Sequence, residues 1–330
     1  MDASVTDRNS AEAGKAAAML FLATLVWSAS FLAMKALAQV QQSALPGAGS
    51  WFLSSLSLLI RFGLSALLLW LWNGRKVWDI SRLEIWQGTG LGLFCALGLL
   101  LQMDGVLYTL ASTSAFLTQC YCIFIPLTLA LHRRQAPSRK LAFACLMVMC
   151  GVAVLAGINW RHFKLGRGEA ETIAASLVFT GQILWLERPL FASNRSALST
   201  QVMFAVVALV VLPVAWRSGG GPRHWALAYH SWVALMLVGF LALGCTLAAY
   251  GIMNRWQPHV PATEAGLIYC SEPVFTSVLA LFLPGWLSRL PGISYADERL
   301  LPRLLIGGGL ITTANVLVLW RPAPRKNQSP

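Results

Sequence analysis

Phe94-Cys95-Ala96-Leu97-Gly98 is echoed by Phe240-Leu241-Ala242-Leu243-Gly244, which lies 146 residues further along the chain. Other positions repeat with nearly the same shift: Leu101 and Leu247, Gly105 and Gly251, Pro126 and Pro273. Each falls in a long apolar segment. If five membrane-crossing segments separate the two copies, the second copy enters the membrane from the opposite side. The echo therefore predicts an inverted repeat.

The composition is typical of a membrane protein. Of the 330 residues, 57% are hydrophobic and 12% are charged, and the mean hydropathy is +0.62. A soluble protein carries about 25% charged residues, so most of the surface is expected to face lipid. The formal net charge of +12 does not indicate binding to nucleic acid, because the basic residues separate apolar runs and form no stripe.

The sequence indicates no metal, cofactor or nucleotide site. All seven cysteines fall inside apolar runs, and none has the spacing to histidine that a zinc site requires. We interpret them as small packing residues. The phosphate-loop pattern GxxxxGK followed by Ser or Thr does not occur, so transport driven by ATP within this chain is not expected.

Ten segments have the length and apolar content of a membrane span, which needs about 20 residues. Their bounds are 16–38, 52–72, 85–107, 110–131, 140–158, 169–187, 198–216, 231–254, 261–283 and 303–320. The echoed sequences lie in the third and eighth spans, and the two prolines lie in the fourth and ninth. The expected fold is an all-α integral membrane protein with ten transmembrane helices in two inverted five-helix repeats.

The spans also define the expected organisation of the chain. It consists of an N-terminal tail (1–14), a first repeat (15–158), a polar linker (159–168), a second repeat (169–320) with a proline-rich outer loop (284–302), and a C-terminal tail (321–330). Of the 25 Lys and Arg residues, fifteen lie on the side that holds the N-terminus and eight on the other side. The positive-inside rule therefore places both termini in the cytoplasm. We expect a multi-pass protein of the cytoplasmic (inner) membrane.

Glu272 is the strongest candidate for a functional residue. It lies twelve residues into the ninth span, which places it near the middle of the bilayer. An acidic residue at that depth costs about 2.5–3.5 kcal/mol on insertion scales and is a functional hypothesis by default. The alternative is a protonated glutamate that hydrogen-bonds a neighbouring helix. Pro273 should free the carbonyl of Tyr269 at the same depth.

Other polar and aromatic side chains reach a similar depth on different spans. They are Trp27, Ser30, Gln119, Tyr121, Thr180 and Gln182. Together they could line one pocket with Glu272. For each residue alone, a hydrogen bond between helices or ordinary packing is an equally good explanation.

Charged side chains near the two mouths are candidates for gates or ion pairs. They are Lys35, Arg61 and Asp104 toward the outer side, and Glu187 and Glu264 toward the cytoplasm. Arg61 lies about 21 Å of helix rise from Arg75, too deep to reach water easily, so it needs a partner. We expect Asp104 to pair with Arg61 or Lys35, and Glu272 is the rival partner of Arg61. The alternatives are a lysine that reaches the interface with its charged end and ordinary interfacial glutamates.

Several short segments occur in a characteristic order and spacing. They are Trp27-Ser28-Ala29-Ser30-Phe31 with Lys35, Arg61-Phe62, Ser114-Ala115-Phe116-Leu117-Thr118 followed by Pro126, Glu272-Pro273-Val274-Phe275, and Glu298-Arg299-Leu300 followed by Leu305-Ile306-Gly307-Gly308. Together they resemble helices one, two, four, nine and ten of the EamA-type members of the drug/metabolite transporter superfamily. The likeness covers roughly 16–320.

The resemblance implies ten helices in two inverted repeats around a central cavity, and export or exchange of small metabolites such as amino acids, or of drugs. Two departures concern the gates. The chain has His132-Arg133-Arg134 where the family usually has a Gly-Glu pair after helix four, and residues 284–297 look like an insertion.

The expected function is secondary transport by alternating access, with no enzymatic activity. Glu272 would bind a cationic group or carry a coupling proton, Trp27, Gln119 and Tyr121 would wall the pocket, and Gln182 would contribute from the second repeat. The expected partners are a small-molecule substrate, an amino acid or a related compound that is exported, together with a coupling proton and the lipid bilayer. The family resemblance implies a monomer or a weak homodimer.

Two other functional classes remain open. One is an integral membrane enzyme that acts on a lipid-linked substrate, and the other is a structural or sensory subunit that transports nothing. The five histidines are scattered over loops and helix ends, and no HExxH motif occurs, which argues against the enzyme.

Overall fold

The computed structural model describes residues 3–132, 134, 138–155, 165–219, 221–260 and 262–319, and every regular element within them is helical. The α-helices are α1 (Ala3–Ala44), α2 (Ser50–Asn73), α3 (Arg82–Tyr108), α4 (Ala111–Thr118), α5 (Tyr121–His132), α6 (Arg139–Leu155), α7 (Arg167–Leu186), α8 (Ser196–Gly219), α9 (Pro222–Ala228), α10 (Trp232–Phe240), α11 (Ala249–Trp256), α12 (Ala262–Tyr269), α13 (Glu272–Ala280), α14 (Leu283–Leu287) and α15 (Pro302–Leu319). A π-helical segment, Leu241–Ala248, joins α10 to α11.

Six helical runs in this part of the chain are long and apolar enough to cross a membrane. They are Gly14–Ala44, Ser50–Asp79, Arg82–Tyr108, Ala111–His132, Ser196–Gly219 and Trp232–His259. Large apolar side chains on their outer faces are exposed, as in Leu71 (60%) and Leu209 (66%), which suits contact with lipid. The all-helical fold is thus confirmed, whereas the count of ten spans and their inversion stay predictions. The other four predicted spans coincide with α6, α7, α12–α13 and α15, which are shorter or interrupted.

The first helix extends beyond both ends of the apolar segment, 16–38, that was predicted to span the membrane. It begins at Ala3, so residues 3–14, which the sequence assigns to a tail, continue the helix. At the other end it continues to Ala44, because polar residues there find partners: Gln41 is buried and accepts a hydrogen bond from Ser57 Oγ at 3.2 Å.

Two of the predicted spans are broken in the middle. The helical path is interrupted at 119–120, between α4 and α5, and at 270–271, between α12 and α13. Pro273 consequently lies in the first turn of α13, where no helical hydrogen bond is lost, and not in a helix interior as the sequence suggested. Pro126 does lie inside α5. Both breaks leave backbone polar groups available in the centre of the bundle.

Close packing joins the two halves of the chain. α3 lies against α7 and α8, α2 lies against α8, and α6 lies against α15. Along α3 and α7 each helix places an aromatic ring over a glycine of the other. A Cβ on Gly98 would lie 2.5 Å from the ring of Phe179, and a Cβ on Gly181 would lie 2.5 Å from the ring of Phe94. Because glycine has no side chain, the two helices can approach each other closely at these positions.

Arginines of the second half hold α3 at both of its ends. Near its start, Arg195 donates to Glu84 through Nε at 2.7 Å and through Nη2 at 2.9 Å. These hydrogen bonds raise the pKa of Arg195 above its ordinary value. Near its last residue, Arg167 Nη2 lies 2.5 Å from Asp104 Oδ2. We call these the Glu84 end and the Asp104 end of the bundle.

The loop after α14 folds over the Asp104 end. The backbone N–H of Glu298 donates to the carbonyl of Ala280 at 2.8 Å, and its carboxylate accepts from the N–H of Ala111 at 2.8 Å and from the hydroxyl of Ser112. Glu298 therefore caps the first turn of α4, where the helix dipole favours a negative charge. In this way the loop connects α13 to α4.

Candidate functional site

A cavity of about 70 Å³ lies at the centre of the bundle. Five of the seven residues that the sequence assigned to a pocket line it: Trp27, Ser30, Tyr121, Gln182 and Glu272. The rest of the wall is formed by Phe31, Arg61, Leu99, Gln102, Thr118, Phe179, Ile183, Tyr250, Met253 and Tyr269. A space of this size holds a few water molecules, so a larger solute requires the surrounding helices to separate.

Glu272 is buried at the break between α12 and α13, with 7% of its surface exposed. It is the first residue of α13 and lies at the positive end of that helix. Gln119, located in the other helix break, donates to its Oε2 from Nε2 at 3.0 Å. The two interrupted helices therefore meet at this glutamate. The sequence likewise groups Gln119 and Glu272 in one pocket.

The backbone of Glu272 also fixes α1 in place. Its carbonyl accepts a hydrogen bond from Ser28 Oγ at 3.1 Å, and Thr276 Oγ1 contacts the same carbonyl at 3.0 Å. Thr276 Oγ1 in addition lies 3.1 Å from the carbonyl of Ser28. These contacts hold the first turn of α13 against α1, one residue from Trp27.

Arg61 lines the same cavity, but its partners differ from those expected. Its Nε donates to the hydroxyl of Thr246, and its Nη2 donates to the carbonyl of Cys245 at 3.3 Å. Both acceptors belong to the π-helical segment, whose wider turn leaves carbonyls available to side chains. Within the described part of the chain, Arg61 forms no ion pair with an acidic residue. The expected pairing of Arg61 with Asp104 or Glu272 is therefore wrong, because backbone and hydroxyl acceptors satisfy its donors.

Asp104 and Lys35 also have other partners. Asp104 is fully buried and pairs with Arg167, which the sequence placed at the edge of the linker. Lys35 donates from Nζ to the carbonyl of Thr109 at 2.6 Å, and its ammonium lies 5.6 Å from the centre of the Tyr295 ring. The expected pairing of Asp104 with Lys35 is thus corrected as well, since the last turn of α3 turns Asp104 toward α7.

Of the two predicted residues that do not line the cavity, Gln119 supports the site through Glu272. Thr180 does not take part, because its hydroxyl donates to the carbonyl of Ser176 at 3.0 Å within α7. Gln182 does face the cavity, and its buried Nε2 has no hydrogen-bond partner among the described residues. An unsatisfied donor at this position is available to a bound solute.

Aromatic rings form a large part of the cavity wall. The ring centre of Trp27 lies 5.1 Å from that of Tyr250 and 6.0 Å from that of Tyr269. Sequence reasoning missed both tyrosines, although each lies deep in an apolar span, the same signal that selected Tyr121. Tyr269 also donates its hydroxyl to Gln257 Oε1 at 2.9 Å, toward the Glu84 end.

A wider cavity of about 620 Å³ lies at the Glu84 end. Glu187, one of the predicted gate residues, lines it together with Arg188, Asn194, Asn254, Arg255 and His259. The arginines stack on neighbouring indoles, with Arg188 4.1 Å from the ring centre of Trp185. The side chain of Glu264, the other predicted gate residue, lies outside the described part of the structure.

Two cysteines touch next to the central site. Cys122 Sγ in α5 lies 3.6 Å from Cys270 Sγ in the break before α13. Cys122 Sγ also lies 3.9 Å from Gln119 Oε1, so the pair adjoins the Gln119–Glu272 hydrogen bond. The sequence identified these residues only as packing residues, because a contact across 148 positions leaves no local pattern.

We expect diamide to join Cys122 and Cys270 in the purified protein. The sulfurs need to move about 1.5 Å closer to reach the length of a disulfide, and diamide takes up the two hydrogens that the thiols lose. With a protease site inserted between residues 159 and 164, the cleaved halves should run together on a gel until reductant is added. Cys270→Ser is the matched control and should let the halves separate. Separation of the wild-type halves without reductant would contradict the contact.

Metal ligands are not grouped in the described residues. The described part of the chain contains no cluster of three or more His, Cys, Asp or Glu side chains that could hold a metal ion. The chemistry available at the central site therefore consists of one carboxyl group, one guanidinium group, amide donors and aromatic faces.

The similarity of this chain to known proteins is limited to its fold. No protein-family model and no curated protein sequence matches this chain. Fourteen chains of solved structures match its fold. One of them, described as "Crystal structure of protein", superposes with a TM-score of 0.58 at 18% sequence identity, over 92% of this chain and 96% of the other. At that identity the likeness concerns the path of the chain and not the function.

Proposed function

We propose that this protein is a secondary transporter that moves a small zwitterionic solute across the cytoplasmic membrane by alternating access. The observation that carries the proposal is the central cavity, which contains one buried guanidinium group and one buried carboxyl group. Arg61 is 2% exposed and Glu272 is 7% exposed, and each is held by neutral groups. Buried charges that lack an ionic partner are unfavourable, and a ligand that carries the complementary charges offsets this cost.

The chemistry of the cavity favours a solute with an amino and a carboxyl group. The carboxylate of Glu272 suits an ammonium group, and the guanidinium of Arg61 suits a carboxylate. The free amide donor of Gln182 and the faces of Trp27 and Tyr250 suit the remaining polar and apolar parts of such a solute. An amino acid or a related compound meets these requirements, and export is the expected direction.

The contacts between helices support an inverted repeat around this cavity. In the proposed arrangement α1, α2, α3, α4–α5 and α6 correspond in order to α7, α8, α10–α11, α12–α13 and α15. α1 contacts α10, α11, α12 and α13, and α7 contacts α3, α4 and α5. α2 contacts α8, and α6 contacts α15. Exchanging the two halves interchanges the contacts of α1 with those of α7 and leaves the α2–α8 and α6–α15 contacts unchanged, as a pseudo-two-fold axis requires.

The interrupted helices support transport in the same way. α4–α5 and α12–α13 are the fourth elements of the two halves, and their breaks meet at Gln119 and Glu272. Discontinuous helices at the centre of a repeat are the usual position of a transporter's binding site. The resemblance to EamA-type transporters agrees with this assignment, and membership in that family is part of the proposal.

A comparison of matched solutes tests the proposed substrate class. The purified protein should be stabilised against heat by one or more amino acids, because a ligand stabilises the state that it binds. The amine that lacks the carboxyl group and the acid that lacks the amino group should each give a smaller shift. Solutes that stabilise the protein would then be tested for flux into proteoliposomes. Stabilisation by an uncharged solute, or binding without flux, would contradict the proposal.

A further inference from the structure

We propose that Asp104 of α3 and Glu171 of α7 together hold one proton at the Asp104 end, in a site that is separate from the central cavity. The proposal depends on three charged groups in contact. Arg167 Nη2 lies 2.5 Å from Asp104 Oδ2, and Arg167 Nε lies 2.8 Å from Glu171 Oε1. One guanidinium group therefore bridges two carboxyl groups, using one oxygen of each.

The second oxygen of each carboxyl group is buried and has no partner among the residues that the structure describes. Asp104 Oδ1 and Glu171 Oε2 are both inaccessible and form no hydrogen bond within the described residues. Asp104 as a whole is fully buried. A bare carboxylate oxygen in such surroundings is unfavourable, because neither water nor a donor compensates its charge.

The two carboxyl groups lie on helices that are in direct contact. α3 and α7 touch here without an intervening side chain, since a Cβ on Gly105 would lie 3.3 Å from Cβ of Glu171. The carboxyl groups of Asp104 and Glu171 also lie on neighbouring nitrogens of the same guanidinium group, at 2.5 Å from Nη2 and 2.8 Å from Nε of Arg167. A hydrogen bond between two carboxyl groups exists only when one of them is protonated.

Charge balance supports the same conclusion. Two ionised carboxylates beside one guanidinium group leave a net negative charge at a buried position, whereas a single bound proton leaves the group neutral. When two carboxylates share a site, one of them is strongly driven to take up a proton. Solvent reaches the site through Arg167, whose side chain is 44% exposed.

The other charged groups around this site already have partners. Tyr108 of α3 stacks under Arg167, whose guanidinium carbon lies 4.3 Å from the ring centre, and Arg167 Nη1 donates to its hydroxyl at 2.9 Å. Glu169 of α7 accepts from Thr109 Oγ1 at 2.7 Å. Lys35 of α1 donates to the Thr109 carbonyl, and Glu298 caps α4. No further cation of the described residues is placed to neutralise the second carboxylate.

The bound proton has a mechanical consequence. With the proton in place, attractive contacts join α3 to α7 and hold the two halves together at the Asp104 end. Without it, the two carboxylates repel each other across the same contact. Under the function proposed above, this proton is a candidate for the coupling ion, but its presence does not depend on that function.

Thermal unfolding of the purified full-length protein across a range from about pH 5 to about pH 9 tests the site, since this range covers both ordinary and buried carboxyl groups. The Tm of the wild type should fall by about 3 °C or more as the pH rises and the shared proton is lost. Glu171→Gln should remove this fall, because its amide N–H donates to Asp104 at every pH. Asp104→Asn should also remove it.

Two controls and a second measurement identify the group that titrates. Glu169→Gln, two residues away on the same helix, should keep the wild-type fall, and so should Glu272→Gln in the central cavity. The infrared carbonyl stretch of protonated carboxyl groups should be weaker in Glu171→Gln than in the wild type at neutral pH. A flat wild-type profile, a profile that Glu171→Gln leaves unchanged, or one that Glu272→Gln removes would overturn the assignment. None of these measurements requires transport, so they are independent of the proposed solute.

Discussion

Replacing Glu272 with glutamine is expected to weaken solute binding about 30-fold or more, which corresponds to about 2 kcal/mol or more for the loss of a buried charge pair. Transport should fall at least as far. Glutamine has the same shape as glutamate, and its Oε1 can still accept the hydrogen bond from Gln119 that Glu272 Oε2 accepts at 3.0 Å. The substitution therefore removes the charge and leaves the contact between the two helix breaks intact.

The experiment compares Kd and flux for the same solute in the wild type and in Glu272→Gln. Glu169→Gln is the matched control, since it removes an acidic group of the second half that lies outside the central cavity. It should bind and transport as the wild type does. Equal thermal stability of Glu272→Gln and the wild type in the absence of solute would show that the fold is preserved. Unchanged affinity and flux in Glu272→Gln would remove this residue from the binding site.

Replacing Gly88 with alanine is expected to destabilise the protein by about 1–3 kcal/mol, because the added methyl group overfills a packed interface. A Cβ at this position of α3 would lie 2.5 Å from the carbonyl oxygen of Ser199 and 2.5 Å from Cβ of Val202 in α8. The carbonyl belongs to the backbone and cannot rotate away. Relief therefore requires α3 and α8, which join the two halves of the chain, to move apart.

Gly63 provides a matched control for this prediction. It also lies inside a long apolar helix, but a Cβ there would meet nothing within 4 Å. Gly63→Ala should leave the Tm unchanged or raise it, since alanine favours a helix over glycine by about 1 kcal/mol. Gly88→Ala should lower the Tm by about 3 °C or more. Equal Tm values for the two variants would show that α3 and α8 are not packed as closely as described.

Part of the central site could be predicted because depth in a span is a local property. Counting residues along the chain placed Trp27, Tyr121, Gln182 and Glu272 near the middle of their segments, and all four line one cavity. Tyr250 and Tyr269 have the same signal and could have been selected by the same rule. Depth alone does not distinguish a residue that faces a cavity from one that faces its own helix, and Thr180 failed for this reason.

The partners of the buried charges could not be predicted. Arg61 was expected to need an acidic partner, but it donates to acceptors in a π-helical turn between α10 and α11. Nothing in the sequence of that turn distinguishes it from the α-helix on either side. Asp104 lies at the same end of the bundle as Lys35, yet its partner is Arg167, because the rotation of α3 about its axis is fixed by packing against α7 and not by depth.

The sequence by itself determined that the regular elements of the described part are helical and that many segments can span a membrane, since apolar content and segment length act locally. It also located a glutamate in the middle of an apolar segment, which is unusual whatever the fold. Only the tertiary structure decided that the two broken helices meet at that glutamate, that a buried arginine in the same cavity has no acidic partner among the described residues, and that Asp104 and Glu171 share one arginine. These features join residues far apart in the chain, and they depend on how helices rotate and approach each other, which close packing between the two halves sets.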